Sequence, residues 1–433
     1  MSVSAYPAYK DSGVEWIGEM PLGWKIIPLK YVVSMKSGEQ ITAEHIEESG
    51  EYPVFGGNGL RGYTSAFTHD GHFPLIGRQG ALCGNINYAT GKFWASEHAV
   101  VVSPRLPCAP LWLGELLRSM DLGQYSVTAA QPGLSVEAIG NLRIPVPPTD
   151  EQSAIATFLD HETGKIDALV AEQERLMALL KEKRQAVISQ AVTKGLDPSV
   201  PMRDSGVEWL GDVPKDWRVI RIKHFVQSMD QGWSPQCENF PVDTGQNWGV
   251  LKVGCVNGGS FSPHENKALP ADLVPLPDLG IAADDVLISR ANTRELVGSA
   301  ACVAEAYPNL LLCDKLYRVR VDSSACNPRL LAIYLGSKVA RGRIELEASG
   351  ASQSMVNIAQ STILELAMPL PPTIKQEALV GFIDRETDKI DELMAGAQRS
   401  IVLLTERRAA LISAAVTGKI DVRGVVPDVQ QAA

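Results

Sequence analysis

Residues 144–167 read IPVPPTDEQSAIATFLDHETGKID, and residues 368–391 read MPLPPTIKQEALVGFIDRETDKID. The likeness runs on in both directions. Over 142–197 against 366–421, 28 of 56 positions are identical without a gap. A second, shorter pair is KDSGVEWIGEMPLGWKIIPLK at 10–30 and RDSGVEWLGDVPKDWRVIRIK at 203–223, with 11 of 21 positions identical. Matches of this length without gaps mark an internal duplication. The short blocks lie 193 residues apart and the long blocks 224, so the second intervening segment is 31 residues longer. The chain therefore runs short block, insert, long block, twice over. The inserts, roughly 25–141 and 218–365, diverge while their frame does not. A fixed frame carrying two variable modules is the pattern of a two-site recognition device. The repeat is circular in order, which predicts that the two ends of the chain meet and that the fold has pseudo-two-fold symmetry.

The long blocks read as helices. Pro145, Pro147 and Pro148 end a strand-like run; Thr149 with Gln152, and Thr373 with Gln376, have the spacing of capping boxes. Between 151 and 194 there is no proline, and Gly164 is the one glycine. Leu159, Ile166, Gln173, Leu180 and Val187 recur every seven residues, with Ile155, Leu169 and Leu176 at the offset position; the copy has Ile383, Ile390, Ala397, Leu404 and Leu411. This heptad pattern predicts two long amphipathic helices pairing as an antiparallel coiled coil, each about 65 Å long at 1.5 Å per residue. The inserts are rich in glycine, proline and short β-like runs such as EYPVFGG, HFPLIGR, AVVVSP, NWGVLKVG, DVLISR and LYRVRVD, with helical pieces at 111–120 and 328–347. The expected fold class is α+β: two mixed, β-dominated modules separated by two long helices. The boundaries expected are 1–24 for the first frame segment, 25–148 for the first module, 149–197 for the first long helix and 198–217 for the repeated frame segment. The second module follows at 218–372, the second long helix at 373–422 and a flexible tail at 423–433.

No catalytic signature stands out. Gly57, Gly59 and Gly62 form a G-x-G-x-x-G, but Tyr-Thr-Ser-Ala-Phe follows where a dinucleotide fold opens a helix, so a glycine loop between strands is the better reading. No phosphate-binding P-loop sequence, H-E-x-x-H or G-x-S-x-G occurs. His69 and His72 lie in a loop-like stretch. The seven cysteines form no C-x-x-C pair and are odd in number, which points to reduced thiols in a cytoplasm. The start, MSVSAYPAYK, lacks the basic and apolar regions of a signal peptide, and apolar runs are too short to span a membrane.

At these residues the chain resembles the specificity subunits of type I restriction–modification systems. DSGVEWIGEMPLGW at 11–24, its copy at 204–217 and the two proline-led helix openings are similar to the family's repeated frame. FPLIGRQGALCGNI at 73–86 and DVLISRANTRELVG at 285–298 resemble central strands of its target-recognition domains. The resemblance implies that each insert reads one half of a bipartite, asymmetric site in double-stranded DNA. It implies that the helices set the spacer and that the frame docks two modification subunits, joined by restriction subunits. It further implies that the chain is no enzyme and carries no cofactor. S-adenosylmethionine for adenine N6 methylation, and ATP with Mg²⁺ for translocation and cleavage, would sit on the partners. The competing reading is a fused or solo methyltransferase or nuclease with an unrecognised catalytic site.

Base readout needs Arg, Lys, Asn, Gln or hydroxyl side chains that reach into a groove. The candidates in the first insert are Asn58, Arg61, Arg78, Gln79, Lys92, His98 and Gln131, and in the second Lys252, Asn257, Arg290, Asn292, Thr293, Arg294, Lys315, Gln353 and Ser354. The tryptophans Trp16, Trp24, Trp209 and Trp217 belong to the frame and are expected to pack frame against module. The formal charge of −10 is spread thinly, with −2 on residues 25–141 and −1 on 218–365. Such modules should hold DNA weakly and with strong salt dependence as an isolated chain, tightening on assembly.

Overall fold

A computed structural model of the protein describes residues 4–80, 82–126, 133–243, 247–352 and 355–425. The chain folds as two compact units, one of residues 1–175 with 397–433 and one of 176–396. The long helices are Thr149–Lys194 and Thr373–Val416, and each contributes one portion to each unit.

The helices are antiparallel within both units. In the first, Ile155, Phe158 and Leu159 near the start of one helix share a core with Ile412, Ala415 and Val416 near the end of the other. In the second, Ile188, Ala191 and Val192 share a core with Leu379 and Ile383. Each set is the other's repeat equivalent. The same holds for the ion pairs that lace the helices. Arg408 Nε lies 2.8 Å from Asp167 in the first unit, and Arg184 Nε lies 3.0 Å from Asp391 in the second. Asp391 is the copy of Asp167 and Arg408 the copy of Arg184. Both pairs are half-exposed, so each contributes at most about 1 kcal/mol. Asp167→Lys should accordingly lower the midpoint of thermal unfolding only slightly, and a collapse of the fold would contradict this assignment.

The heptad reading holds at one position and only in part at the other, where Ile155 is buried but its successors are not. Leu159, Ile166, Leu180, Ile383, Ile390 and Ala397 are buried, whereas Leu169 and Leu176 are 51 % and 42 % exposed. The capping boxes are also corrected. The helices begin at Thr149 and Thr373, and the residues before them, Pro148 and Pro372, lack the N–H from which a capping-box glutamine would accept. Gln152 is buried; its Nε2 donates to the Pro147 carbonyl (3.0 Å) and its Oε1 accepts from the Ala109 N–H (3.3 Å). Gln376 does the same with the Pro371 carbonyl (3.0 Å) and the Asn327 N–H (2.7 Å), and also donates to the Ala325 carbonyl (3.0 Å). Ala109 and Asn327 precede the helices Pro110–Ser119 and Pro328–Gly336 of the two modules. The glutamines therefore latch module to long helix.

Each module is closed at its base by a two-stranded antiparallel ribbon. Lys25–Pro28 pairs with Arg143–Val146, and Arg218–Arg221 pairs with Ala367–Leu370, in the same register. Beyond the ribbon the modules share a sheet. The first has antiparallel neighbours in the order Val33–Ser37, Ala99–Pro104, His69–Gly77, Ile86–Ala95. The second repeats that order with Val226–Gln231, Leu316–Val321, Val286–Ser289, Ala300–Cys302. Val286–Ser289 and Ala300–Cys302 are buried at every position, the pattern of strands covered on both faces. The first module extends its sheet by the hairpin Tyr52–Gly56 and Gly59–Thr64, the former parallel to Ile86–Ala95. The second adds a separate four-stranded sheet of Asn266–Ala268, Gly249–Leu251, Tyr307–Leu311 and Gly280–Ile281, with its own core. The 328–347 helical piece is two helices, Pro328–Gly336 and Lys338–Glu347, broken at Ser337, whose hydroxyl accepts from the Ala340 N–H.

The ends of the chain meet, as the circular repeat predicts. The Asp421 N–H donates to the Ser4 carbonyl (2.8 Å), and Tyr9 donates to the Lys419 carbonyl (3.4 Å). By repeat arithmetic, residue 197 is the equivalent of both residue 4 and residue 421, so the first unit closes by hydrogen bonds where the second is covalently continuous. Residues 426–433, most of the expected flexible tail, lie outside the described residues.

Candidate nucleic-acid interface

The strand Gly77 or Ser289 ends is followed in both modules by an arginine, Arg78 or Arg290, in the same backbone frame. The Arg78 N–H donates to the His98 carbonyl (2.9 Å), and its carbonyl accepts from the Leu134 N–H (3.0 Å). The Arg290 N–H donates to the Lys315 carbonyl (2.8 Å), and its carbonyl accepts from the Ile358 N–H (3.0 Å). Leu134 and Ile358 are repeat equivalents, and His98 and Lys315 stand immediately before equivalent strands. Each module thus holds an arginine beside a second basic residue at one place on its sheet. Among the described residues neither guanidinium is bonded to a carboxylate: Arg78 Nη1 donates to Ser37 Oγ (3.0 Å) and Arg290 Nη1 to the Asp314 carbonyl (3.1 Å). Each guanidinium has five N–H donors, so most of them are not used in these bonds.

Around this frame the first module has a recess of about 580 Å³ lined by Asn58, Arg61, Gln79 and His98 together with the glycines of two tight loops. Four of the sequence candidates therefore converge. Asn85 Nδ2 donates to Asn58 Oδ1 (3.1 Å), which orients that amide. The loops approach closely enough that a methyl on Gly77 would strike the Gly57 carbonyl. The G-x-G-x-x-G is the turn of the hairpin, as the sequence reading expects. Lys92 stands apart, its ammonium 4.7 Å from the Phe67 ring. Gln131 lies outside the described residues.

In the second module Lys252 and Lys315 line a recess of about 230 Å³ with Lys267, which the sequence reading omitted. Its signal was present: Lys267 alternates with buried Asn266 and Ala268 on a short strand. The other candidates are dispersed. Asn257 is exposed in the Val253–Gly259 turn. Asn292 accepts from the Thr293 N–H (2.9 Å), and Arg294 Nη1 donates to the Glu345 carbonyl (3.3 Å), which ties Arg294 to the Lys338–Glu347 helix. Gln353 and Ser354 lie outside the described residues.

The histidine reading needs correction. His69 and His72 lie on the strand His69–Gly77, not in a loop, and three residues apart on a strand they face opposite sides. His69 stacks on Phe93 at 5.4 Å, and burial holds its pKa below the usual imidazole value, so it is neutral at pH 7 and offers phosphates no charge. Among the described residues no group of three or more His, Cys, Asp or Glu is placed to hold a metal. The cysteines are unbridged, and burial pushes the Cys302 and Cys313 thiols up to about 11 and Cys326 to about 12, far from reactive thiolates. The frame tryptophans pack as expected: Trp24 and Trp217 are buried, and Trp16 and Trp209 lie against the two main cores. No helix among the described residues is long and apolar enough to cross a membrane.

Comparison with known proteins agrees with this architecture. The type I restriction modification DNA specificity domain matches residues 21–176. The specificity subunit of the type I restriction enzyme EcoprrI from Escherichia coli is 47 % identical over 133 residues, covering 30 % of this chain and 33 % of that one. That of EcoEI, also from Escherichia coli, is 27 % identical over 249 residues, covering 56 % of this chain and 42 % of that one. The chain thus spans a third to about two fifths of the length of these relatives. A solved chain from work on complex assembly and conformational transition of the type I R-M system superposes with a TM-score of 0.66 over 93 % of this chain and 99 % of its own, at 16 % identity, a likeness of fold. Residues 21–176 thus carry a match to the type I restriction modification DNA specificity domain, and the chain with its duplicated frame and paired modules is similar to specificity subunits of type I restriction enzymes.

Proposed function

We propose that the chain is the DNA-reading and assembly subunit of a type I restriction–modification complex and performs no chemistry itself. Each module reads one half of a bipartite, asymmetric site, and the long helices fix the unread spacer. The frame docks two modification subunits that methylate adenine at N6 from S-adenosylmethionine, and restriction subunits supply ATP- and Mg²⁺-dependent translocation and cleavage. The observation that carries the reading is the shared placement of Arg78 with His98 and Arg290 with Lys315 on equivalent sheets of otherwise divergent modules. A common frame with different neighbours is what two readers of different half-sites need, since phosphate contacts position a module and its variable side chains select bases. The module boundaries at 25–148 and 218–372 follow from the same reading.

Mapping methylated adenines genome-wide in cells carrying this chain and its partner subunits should return one motif of two short specific halves around a fixed non-specific spacer. A single contiguous motif would remove the proposal. Inserting one heptad at matched positions in both helices should lengthen the spacer and leave both halves intact, because seven residues restore the face of an antiparallel pair. An unchanged spacer would show that the helices do not measure it.

A further inference from the structure

The two repeats differ at the junction of short frame block and long helix. In the first unit Tyr6 is buried there, its ring set edge-on to Trp24 with centroids 5.9 Å apart. The Trp24 indole N–H (2.6 Å) and the Tyr6 hydroxyl (3.2 Å) both donate to Glu151 Oε2. Arg423 lies over the Tyr6 ring at 4.9 Å and reaches Glu151 Oε1 at 3.4 Å. The chain's own opening segment thus supplies a ring, and its long helix a carboxylate, to a tryptophan in the frame.

The second unit keeps the tryptophan and loses both partners. Trp217 stands for Trp24, but Ser199 takes the repeat position of Tyr6 and Lys375 that of Glu151. Lys375 turns away to Asp216, 2.7 Å distant. What is left is a recess of about 340 Å³ whose lining joins Pro214, Trp217, Ile374, Ala378 and Leu379 to two lysines and two aspartates, Lys375 and Asp216 among them. Pro214 and Leu379 are the copies of Pro21 and Ile155, and Ile155 shares the core of Tyr6 and Trp24 in the first unit. Trp217 lines this recess, and its indole N–H has no acceptor among the described residues, although that of its copy Trp24 has a carboxylate. Ile374 stands 89 % exposed at the rim, an apolar side chain left in water beside the opening.

We propose that this recess is a docking socket for a segment of a partner protein that presents an aromatic side chain beside a carboxylate. The first unit is the template. The occupant replaces the two groups missing from the second, a ring against Trp217 and a carboxylate oxygen for its N–H. The apolar part of the lining suits the ring, Lys194 and Lys375 balance the charges of Asp197 and Asp216 there, and the volume is in the range of small ligand sites. The pseudo-symmetric frame is thereby unequal: one socket is filled by the chain itself and the other is open.

The test uses the full-length, ¹⁵N-labelled chain and the probe acetyl-Ala-Tyr-Glu-amide, read at the Trp217 indole N–H resonance. A saturable shift with a dissociation constant of about 1 mM is expected. Acetyl-Ala-Ser-Glu-amide should give no comparable shift. Ala378→Phe, at an exposed helix position on the wall, should fill the recess and abolish the response. Ile374→Asp, at a residue too exposed to affect folding, should weaken it severalfold by repelling the carboxylate. An unmoved resonance, or a shift that persists in Ala378→Phe, overturns the proposal. So does a shift that appears without peptide as the protein self-associates, which would assign the socket to a second copy of the chain. The measurement involves no DNA, so its outcome is separate from that of the recognition function.

Discussion

Replacing Arg290 by alanine should weaken recognition of one half-site by about 5- to 150-fold while the other half is read as before, and Arg78→Ala should do the same to the opposite half. The magnitude follows from about 1–3 kcal/mol for a well-placed guanidinium contact to a base or phosphate. These two positions are singled out from the candidates by geometry. Their backbone is fixed at both N–H and carbonyl by equivalent bonds, so the side chain leaves the sheet in a set direction. Their charge is not spent on a carboxylate, unlike that of Arg318, whose guanidinium is buried against Asp230 (2.9 Å), or Arg320, paired with Asp285 (2.7 Å). The readout is binding of half-site variants by the assembled complex over a range of salt. If the arginine meets a phosphate, the salt slope should fall by about one and all sequences should weaken alike. If it meets a base edge, specificity should relax at one position. Unchanged affinity in both variants would place the interface on another face of the modules.

The largest effect on stability is expected at a residue with no role in recognition. Gln376→Leu should cost about 3–5 kcal/mol, because it strands a part-buried N–H, a part-buried carbonyl and a buried carbonyl at once, each worth about 1–3 kcal/mol when unpaired. Gln152→Leu strands two groups and should cost less. Gln376→Glu is the sharper experiment. A carboxylate keeps the acceptor for Asn327 but cannot donate to Pro371 or Ala325, so the charged form is disfavoured and its folded pKa is raised. That variant should gain stability as pH falls through the raised value and lose it as pH rises. Urea unfolding across pH checks this, and a pH-independent loss equal to that of Gln376→Leu would show that the bonds to the carbonyls are not what matters.

The frame was legible in the sequence because duplication exposes it. The circular order of blocks implied the meeting ends seen at Ser4 and Asp421, and the heptads implied helices whose partner ends coincide with the observed cores. The short strands were legible from their β-branched runs. The long helices were misread in detail for physical reasons. A T-x-x-Q spacing fits a capping box and a latch equally, and only the approach of Ala109 or Asn327 from a distant segment decides between them. Leu169 and Leu176 satisfy the heptad but stand exposed, since periodicity reports which face a residue occupies and not whether anything covers it. At the site, composition could propose sixteen polar residues but could not group them. The equivalence of Arg78 with Arg290 rests on backbone bonds made across the sheet, and Lys267 joined its cluster through a fold that local sequence does not encode.

The glutamine latch has one more consequence, for how such a protein can change. Gln152 and Gln376 hold their modules through main-chain groups alone: a carbonyl and an N–H that every residue but proline possesses. The joint therefore places almost no demand on the side chains of whatever is plugged into it. A foreign insert need only bring a helix entry to the same spot to be gripped. The coupling behaves as a standard fitting, and the freedom of the inserts to vary is written into a fastener that does not read their sequence.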